Sequence, residues 1–212
     1  MMTAQALMTI LTSPEYRLEL EEMSSYAASI KQERPMVVLL AKYLRRQSRR
    51  FRLEDNHCDI VVDGIRIEFK FHYDFDITDK LHKELKKHNE NMEEIWKAAQ
   101  AGTISESWTV IPGIYKDVCG KKCDVFVWVV CARDVSRLTD DQLIGVCMGS
   151  RQRTYNERNP YEKNSQLLEV VDTFLEKLQR CRKFSVAATT MTTKGDFPSS
   201  YHLRICEFAR AI

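Results

Sequence analysis

Asp59, Glu68 and Lys70 stand close together in one short stretch of this chain, HCDIVVDGIRIEFKFHY, which runs from His57 to Tyr73. The stretch alternates apolar and polar residues on both sides of Asp63-Gly64. Asp-Gly between β-branched runs is a strong signal for a hairpin closed by a tight turn. With a two-residue turn, Val62 faces Ile65, Val61 faces Arg66 and Ile60 faces Ile67. Asp59 then faces Glu68, and His57 faces Lys70. Alternation separates two sides. One carries Cys58, Ile60, Val62, Ile65, Ile67, Phe69 and Phe71, and must be buried. The other carries His57, Asp59, Val61, Arg66, Glu68 and Lys70.

Two carboxylates directly opposed across a strand pair have Cβ atoms about 5 Å apart and repel each other. A divalent cation between them removes the penalty, and carboxylate oxygens are the hard ligands Mg²⁺ prefers. Lys70, two residues beyond Glu68 on the same face, is placed to orient an attacking water or to stabilise charge on a phosphate. The competing reading is a solvated polar sheet face on which Lys70 or Arg66 neutralises the acids diagonally. A second chemistry-bearing group precedes the hairpin: Lys42, Arg45, Arg46, Arg49, Arg50 and Arg52, with no acid among them. Arg46, Arg49 and Arg50 are candidates for holding nucleic-acid phosphates, because a guanidinium binds phosphate bidentately. Arg151 and Arg153, in a polar segment with Tyr155 and Arg158, are further candidates. A solvated helix end and an ordinary surface loop are the plain alternatives.

The elements that would position these groups follow from pattern. The first fifty residues read as helical, with Ser13-Pro14-Glu15 as a helix start and Pro35 opening a helix whose stripe is Met36, Val37, Leu40, Ala41 and Leu44. Phe51 to Glu54 reads as a short strand, followed by the hairpin. A helix is expected between Asp76 or Thr78 and Gly102, and strands over 107–111 and 123–131. The segment from Asn164 to Arg182 reads as an amphipathic helix, and the tail from Phe184 as two strands around Lys194 to Pro198. The order is that of a mixed α/β domain.

Asp59, eight residues, then Glu68-Phe69-Lys70 resembles the signature of the PD-(D/E)XK nuclease superfamily, with its restriction-endonuclease-like fold. The likeness implies an α/β core of helix, three-strand meander, helix and strand over residues 34–135 of a single domain. Residues 1–33 would form a helical arm, and 136–212 a C-terminal extension of helix plus strands. It also implies that Asp59 and Glu68 hold Mg²⁺, with Mn²⁺ able to substitute, that the backbone carbonyl of Phe69 is a further ligand, and that Lys70 assists the attacking water. Many members add a Glu from the first core helix; Glu33 is the candidate here, ahead of Glu19 and Glu22. One departure is that Cys58 stands where the family has Pro. The implied activity is metal-dependent phosphodiester hydrolysis leaving 5′-phosphates, with DNA the expected substrate and a homodimer a possible assembly. The alternative is a nucleic-acid-binding or complex-forming module that keeps the fold without the activity.

Composition restricts the remaining classes. The chain has 212 residues, with 32 Lys and Arg against 30 Asp and Glu, a net charge of +2. That excludes a generally polycationic binder while allowing local basic patches. Its longest strongly apolar run, Val125 to Ala132, is too short to cross a bilayer. The start MMTAQALMTIL lacks a basic signal-peptide region, so a cytoplasmic protein is expected. Seven cysteines with no CxxC pair read as reduced thiols rather than a zinc site. Asp74-x-Asp76 lacks the rest of a calcium loop. No GxxxxGK[ST] or GxSxG motif occurs.

Overall fold

A computed structural model describes residues 2–26, 33–54, 58–73, 123–133, 164–194 and 198–209, with positions 94, 97, 101, 114, 117 and 118. The expected strand over 107–111 and the polar segment with Arg151 and Arg153 lie outside the described residues, as does the helix after Tyr73 except for Glu94 and Lys97, which are helical, and Ala101, which is in a turn.

Helix α1 (Ala4–Leu11) buries Ala4, Leu7, Met8 and Leu11, one face at helical spacing. Helix α2 (Pro14–Tyr26) begins as its sequence predicts: Ser13 Oγ accepts the Tyr16 N–H at 3.2 Å, and Pro14 takes the first helical position. Helix α3 (Glu33–Arg46) starts two residues ahead of Pro35, which fits because a first-turn residue has no carbonyl to donate to. Its predicted stripe of Met36, Val37, Leu40, Ala41 and Leu44 is buried. The helix ends in a Schellman motif, with Arg49 N–H donating to the Leu44 carbonyl and Ser48 N–H to that of Arg45, both at 3.0 Å. Ser48 supplies the left-handed residue this requires, at φ 54°.

Among the described residues, six strands form one mixed sheet: β1 (Phe51–Leu53), β2 (Ile60–Val62), β3 (Ile65–Tyr73), β4 (Val125–Arg133), β5 (Phe184–Thr193) and β6 (Ser199–Phe208). Their order is β1-β2-β3-β4-β6-β5. β3 and β4 are parallel, and the other neighbours are antiparallel. The β2–β3 register is the predicted one, Val62 opposite Ile65, Val61 opposite Arg66 and Ile60 opposite Ile67. Asp63 and Gly64 both have positive φ, 52° and 81°, as a type I′ turn demands.

Helix α4 (Asn164–Cys181) lies between β4 and β5 in the chain. It buries Val171, Phe174, Leu175 and Leu178 in one core cluster with Phe126, Trp128, Val130 and Cys206. The opposite side of the sheet, including Ile67, Phe69, Val127, Val129, Leu203 and Ile205, packs with residues of α1, α2 and α3 in the other cluster. The described architecture is therefore helices, sheet, helix, with β6 directly beside β4. Met2, Leu7, Leu11 and Leu20 of the N-terminal segment share a core with Phe69 and Val127. No described helix is long and apolar enough to cross a membrane.

One expectation about the hairpin fails. Cys58 does not share the side of Ile60 and Val62; it is buried in the α4 cluster with Phe126 and Trp128. The ladder explains this. Paired residues of β2 begin at Ile60, and residues 58 and 59 form a bend, so strict alternation stops before it reaches Cys58.

Candidate carboxylate and lysine site on strand β3

In a two-residue hairpin the pair flanking the turn exchanges both backbone bonds, and such pairs recur at every second residue. The N–H groups of Ile65, Ile67, Phe69 and Phe71 therefore point toward β2. Since β2 ends at Ile60, opposite Ile67, the next two donors have no strand to meet. Two carboxylates take them. Asp59 Oδ2 accepts the Phe69 N–H at 2.7 Å, and Glu33 Oε2 accepts the Phe71 N–H at 3.0 Å. The Asp59 carbonyl meanwhile accepts the Glu54 N–H at 2.9 Å, so its backbone serves β1 and its side chain serves β3.

This geometry places a third oxygen. The N–H and C=O of one strand residue point to the same edge, so the Phe69 carbonyl lies between the two donors. Those donors are about 6.6 Å apart along the strand. Asp59, Glu33 and the Phe69 carbonyl thus line one edge of β3. Glu33 reaches it from the first residue of α3. The start of that helix is held by the buried Tyr16, whose hydroxyl donates to the Met36 carbonyl at 2.7 Å. Burial pushes the Tyr16 phenol well above its usual range, and the neighbouring Tyr201 and Glu19 add to this.

Glu68 lies elsewhere. It is 2% exposed, beside Phe126 of β4 in the ladder. Its charge is felt by the Cys123 thiol, which burial, above all, drives well upward; Cys58 and Asp117 act in the same direction and Arg182 against them. The ladder between β2 and β3 does not extend to an Asp59–Glu68 pair. Lys70 follows on the same face as Glu68, and its Nζ is 2.9 Å from Asp117 Oδ2. Asp117 is 6% exposed and is the acid that sequence reasoning missed. Nothing in the motif marks it, because the contact crosses from the residues before β4 back to β3.

The basic residues divide. Arg46 is tied to Glu15 and, at 2.9 Å, to Glu19, which also holds Lys42 at 2.8 Å. The Lys42 hydrogen bond is the main reason the Glu19 carboxyl sits below its ordinary range. Arg46 therefore staples α3 to α2. Arg49 pairs with Asp63 of the hairpin turn, and Arg50 is exposed beside it. Arg151 and Arg153 lie outside the described residues, as does His57.

Among the described residues, no group of three or more His, Cys, Asp or Glu side chains converges as a metal site. The donor set on the β3 edge is of another kind, two carboxylates with one backbone carbonyl. All are hard oxygens, and Mg²⁺ characteristically takes one or two carboxylates and fills its remaining positions with water and substrate phosphate. The residues present therefore fit a hard divalent cation. Comparison with protein-family models, with curated proteins and with solved structures finds no match.

Proposed function

We propose that this protein is a metal-dependent nuclease with a restriction-endonuclease-like core, acting on DNA as an endonuclease. The observation that carries the reading is the pair of carboxylates, Asp59 and Glu33, seated on successive outward N–H groups of β3 on either side of the Phe69 carbonyl. The order α3, β1-β2-β3 meander and parallel β4 supports the fold. The Glu68-Phe69-Lys70 signature supports the activity.

Asp59, Glu33 and the Phe69 carbonyl would hold Mg²⁺, with Mn²⁺ able to substitute, while Glu68 sits on the adjoining sheet face with Lys70. Bound there, the cation supplies Lewis-acid charge at a phosphate oxygen. The chain's own part is positioning. The β3 N–H groups fix the two carboxylates, and Lys70, held by Asp117, presents an ammonium that donates to an attacking water or to a phosphate oxygen. Both carboxylates also cap the strand edge, so their structural work and their ligand role use different oxygens of the same groups.

The burial of Glu68 favours one second reading, a nucleic-acid-binding module on the same fold without catalysis. One experiment separates the two. Wild type and Lys70→Ala are incubated with plasmid and single-stranded DNA in Mg²⁺ or Mn²⁺, and metal binding is measured by calorimetry. The nuclease reading expects cleavage by wild type, falling by about a hundredfold or more in the variant. Absent cleavage in both, with no metal bound, sinks it. DNA binding without cleavage establishes the module.

A further inference from the structure

The turn end of the hairpin holds a second constellation, some distance from the carboxylates. Arg49, Arg50 and Arg52 line an open cavity of about 640 Å³ together with Phe51, Val61, Asp63 and Gly64. Among the described residues its lining carries three guanidinium groups and a single carboxylate. The backbone dictates this grouping. The Schellman turn at Ser48 reverses the chain after α3 and delivers Arg49 and Arg50 to the start of β1. Phe51 then pairs with Val62, which sets that end of β1 against the hairpin turn, and the Asp63 N–H donates to the Arg50 carbonyl at 3.3 Å. Arg52, Val61 and Arg66 form one row across β1, β2 and β3. Alternation puts that row on the face of Glu68 and Lys70.

We infer that this cavity binds a backbone phosphate of the nucleic acid, and that Asp63 is a resident anion which the phosphate displaces from Arg49. The inference takes its ligand class from the nuclease reading. The three arginines suit the bidentate geometry of a phosphate diester. The position suits a polyanion. Asp63 lies four residues from Asp59 along the hairpin, at most about 13 Å. A nucleic-acid strand carries one phosphate per nucleotide, so a single strand can engage both sites through different phosphates. The cavity then acts as an anchor that holds the substrate while the β3 edge addresses a different phosphate. Arg66, in the same row, pairs with Asp124 at 3.3 Å.

Asp63 makes the inference sharp, because its removal should strengthen binding. Asp63→Asn keeps a residue that accepts positive φ in a type I′ turn and deletes the competing charge. The test is fluorescence anisotropy with labelled single-stranded and duplex oligonucleotides, without divalent metal, over a range of salt. Circular dichroism of each variant checks folding. The expected result is several-fold tighter binding for Asp63→Asn. For Arg49→Gln with Arg50→Gln, binding should weaken about tenfold or more, and the slope of log K against log salt should fall by about 0.7 per arginine on single strands or 0.9 on duplex. Unchanged or weaker binding by Asp63→Asn overturns the inference, as does an unchanged salt slope in the double variant. So does arginine-dependent binding of a labelled acidic peptide when no oligonucleotide binds. Arginine-dependent binding by a protein that never cleaves leaves the anchor standing and removes only the nuclease reading.

Discussion

The two faces of the central strands are built on opposite terms. On one, Ile65, Ile67, Phe69 and Phe71 of β3 lie with Val125, Val127, Val129 and Cys131 of β4 and with Tyr201, Leu203 and Ile205 of β6, all in one apolar cluster. On the other, the same strands present Arg66, Glu68, Lys70 and His72, then Phe126, Trp128 and Val130, then Cys206, Arg204 and His202. The first face needs only volume and shape. The second buries charge, which is tolerable only where each charge has a partner. Arg66 meets Asp124, Lys70 meets Asp117, and Arg204 meets Asp172 through two nitrogens at 2.6 and 2.9 Å. His72 accepts the Trp128 indole N–H at 3.1 Å. A fold that kept such a face for stability alone would gain by making it apolar, as packed hydrophobic replacements of buried ion pairs often stabilise. The contrast is between a face held by volume and a face held by paired charge.

Four measurements would break or sharpen that contrast. The largest effect belongs to the apolar face: Leu203→Ala, at a fully buried position, should cost about 2–5 kcal/mol in urea unfolding. A loss below about 1 kcal/mol would mean that this face is not the close-packed one. Next comes the edge between the faces. Asp59→Ala strands the Phe69 N–H and should cost about 1–3 kcal/mol. Asp59→Asn retains an acceptor and should cost less while still abolishing Mn²⁺ binding. Equal stability loss from both would show that the carboxylate charge itself holds the fold.

On the charged face, Asp172→Ala leaves Arg204, 8% exposed, without its carboxylate. Because Asp172 is itself half exposed, the cost should be about 1–2 kcal/mol and shrink in high salt. A salt-independent loss would assign it to packing instead. The smallest effect is a pH dependence. Burial, with the Arg204 charge adding to it, holds the His202 imidazole below its ordinary 6.5. The unfolded chain therefore binds a proton that the folded one refuses, so this contribution is complete above pH 6.5 and is lost as pH falls below it. His202→Gln should flatten the decline in melting temperature between pH 7 and 5.5. An identical decline would place the titration elsewhere.

Particular residues show what could be read without coordinates. The hairpin register was legible because period-two alternation and Asp63-Gly64 leave one arrangement that buries Ile60, Val62, Ile65 and Ile67 together. The starts of α2 and the stripe of α3 were legible because caps and helical spacing are local. The side of Cys58 was misread because alternation was carried past the end of β2, a boundary that backbone pairing sets and side-chain pattern does not. Arg46 shows the same limit: a cation at a helix end looks available until another helix brings Glu15 and Glu19 against it.

What this sequence determined by itself is local and periodic: a mixed α/β chain, a type I′ hairpin, and an acid and a lysine on one strand face at Glu68 and Lys70. Tertiary structure alone decided which carboxylates reach β3. Glu33, Asp59 and Asp117 come from separate segments, and each finds β3 for a reason outside its own sequence neighbourhood. Two of them answer N–H groups left over where β2 ends, and the third answers a lysine facing into the sheet's charged side. Unpaired backbone donors and buried charges exist only once strands have assembled, and so the partners that satisfy them are chosen only then.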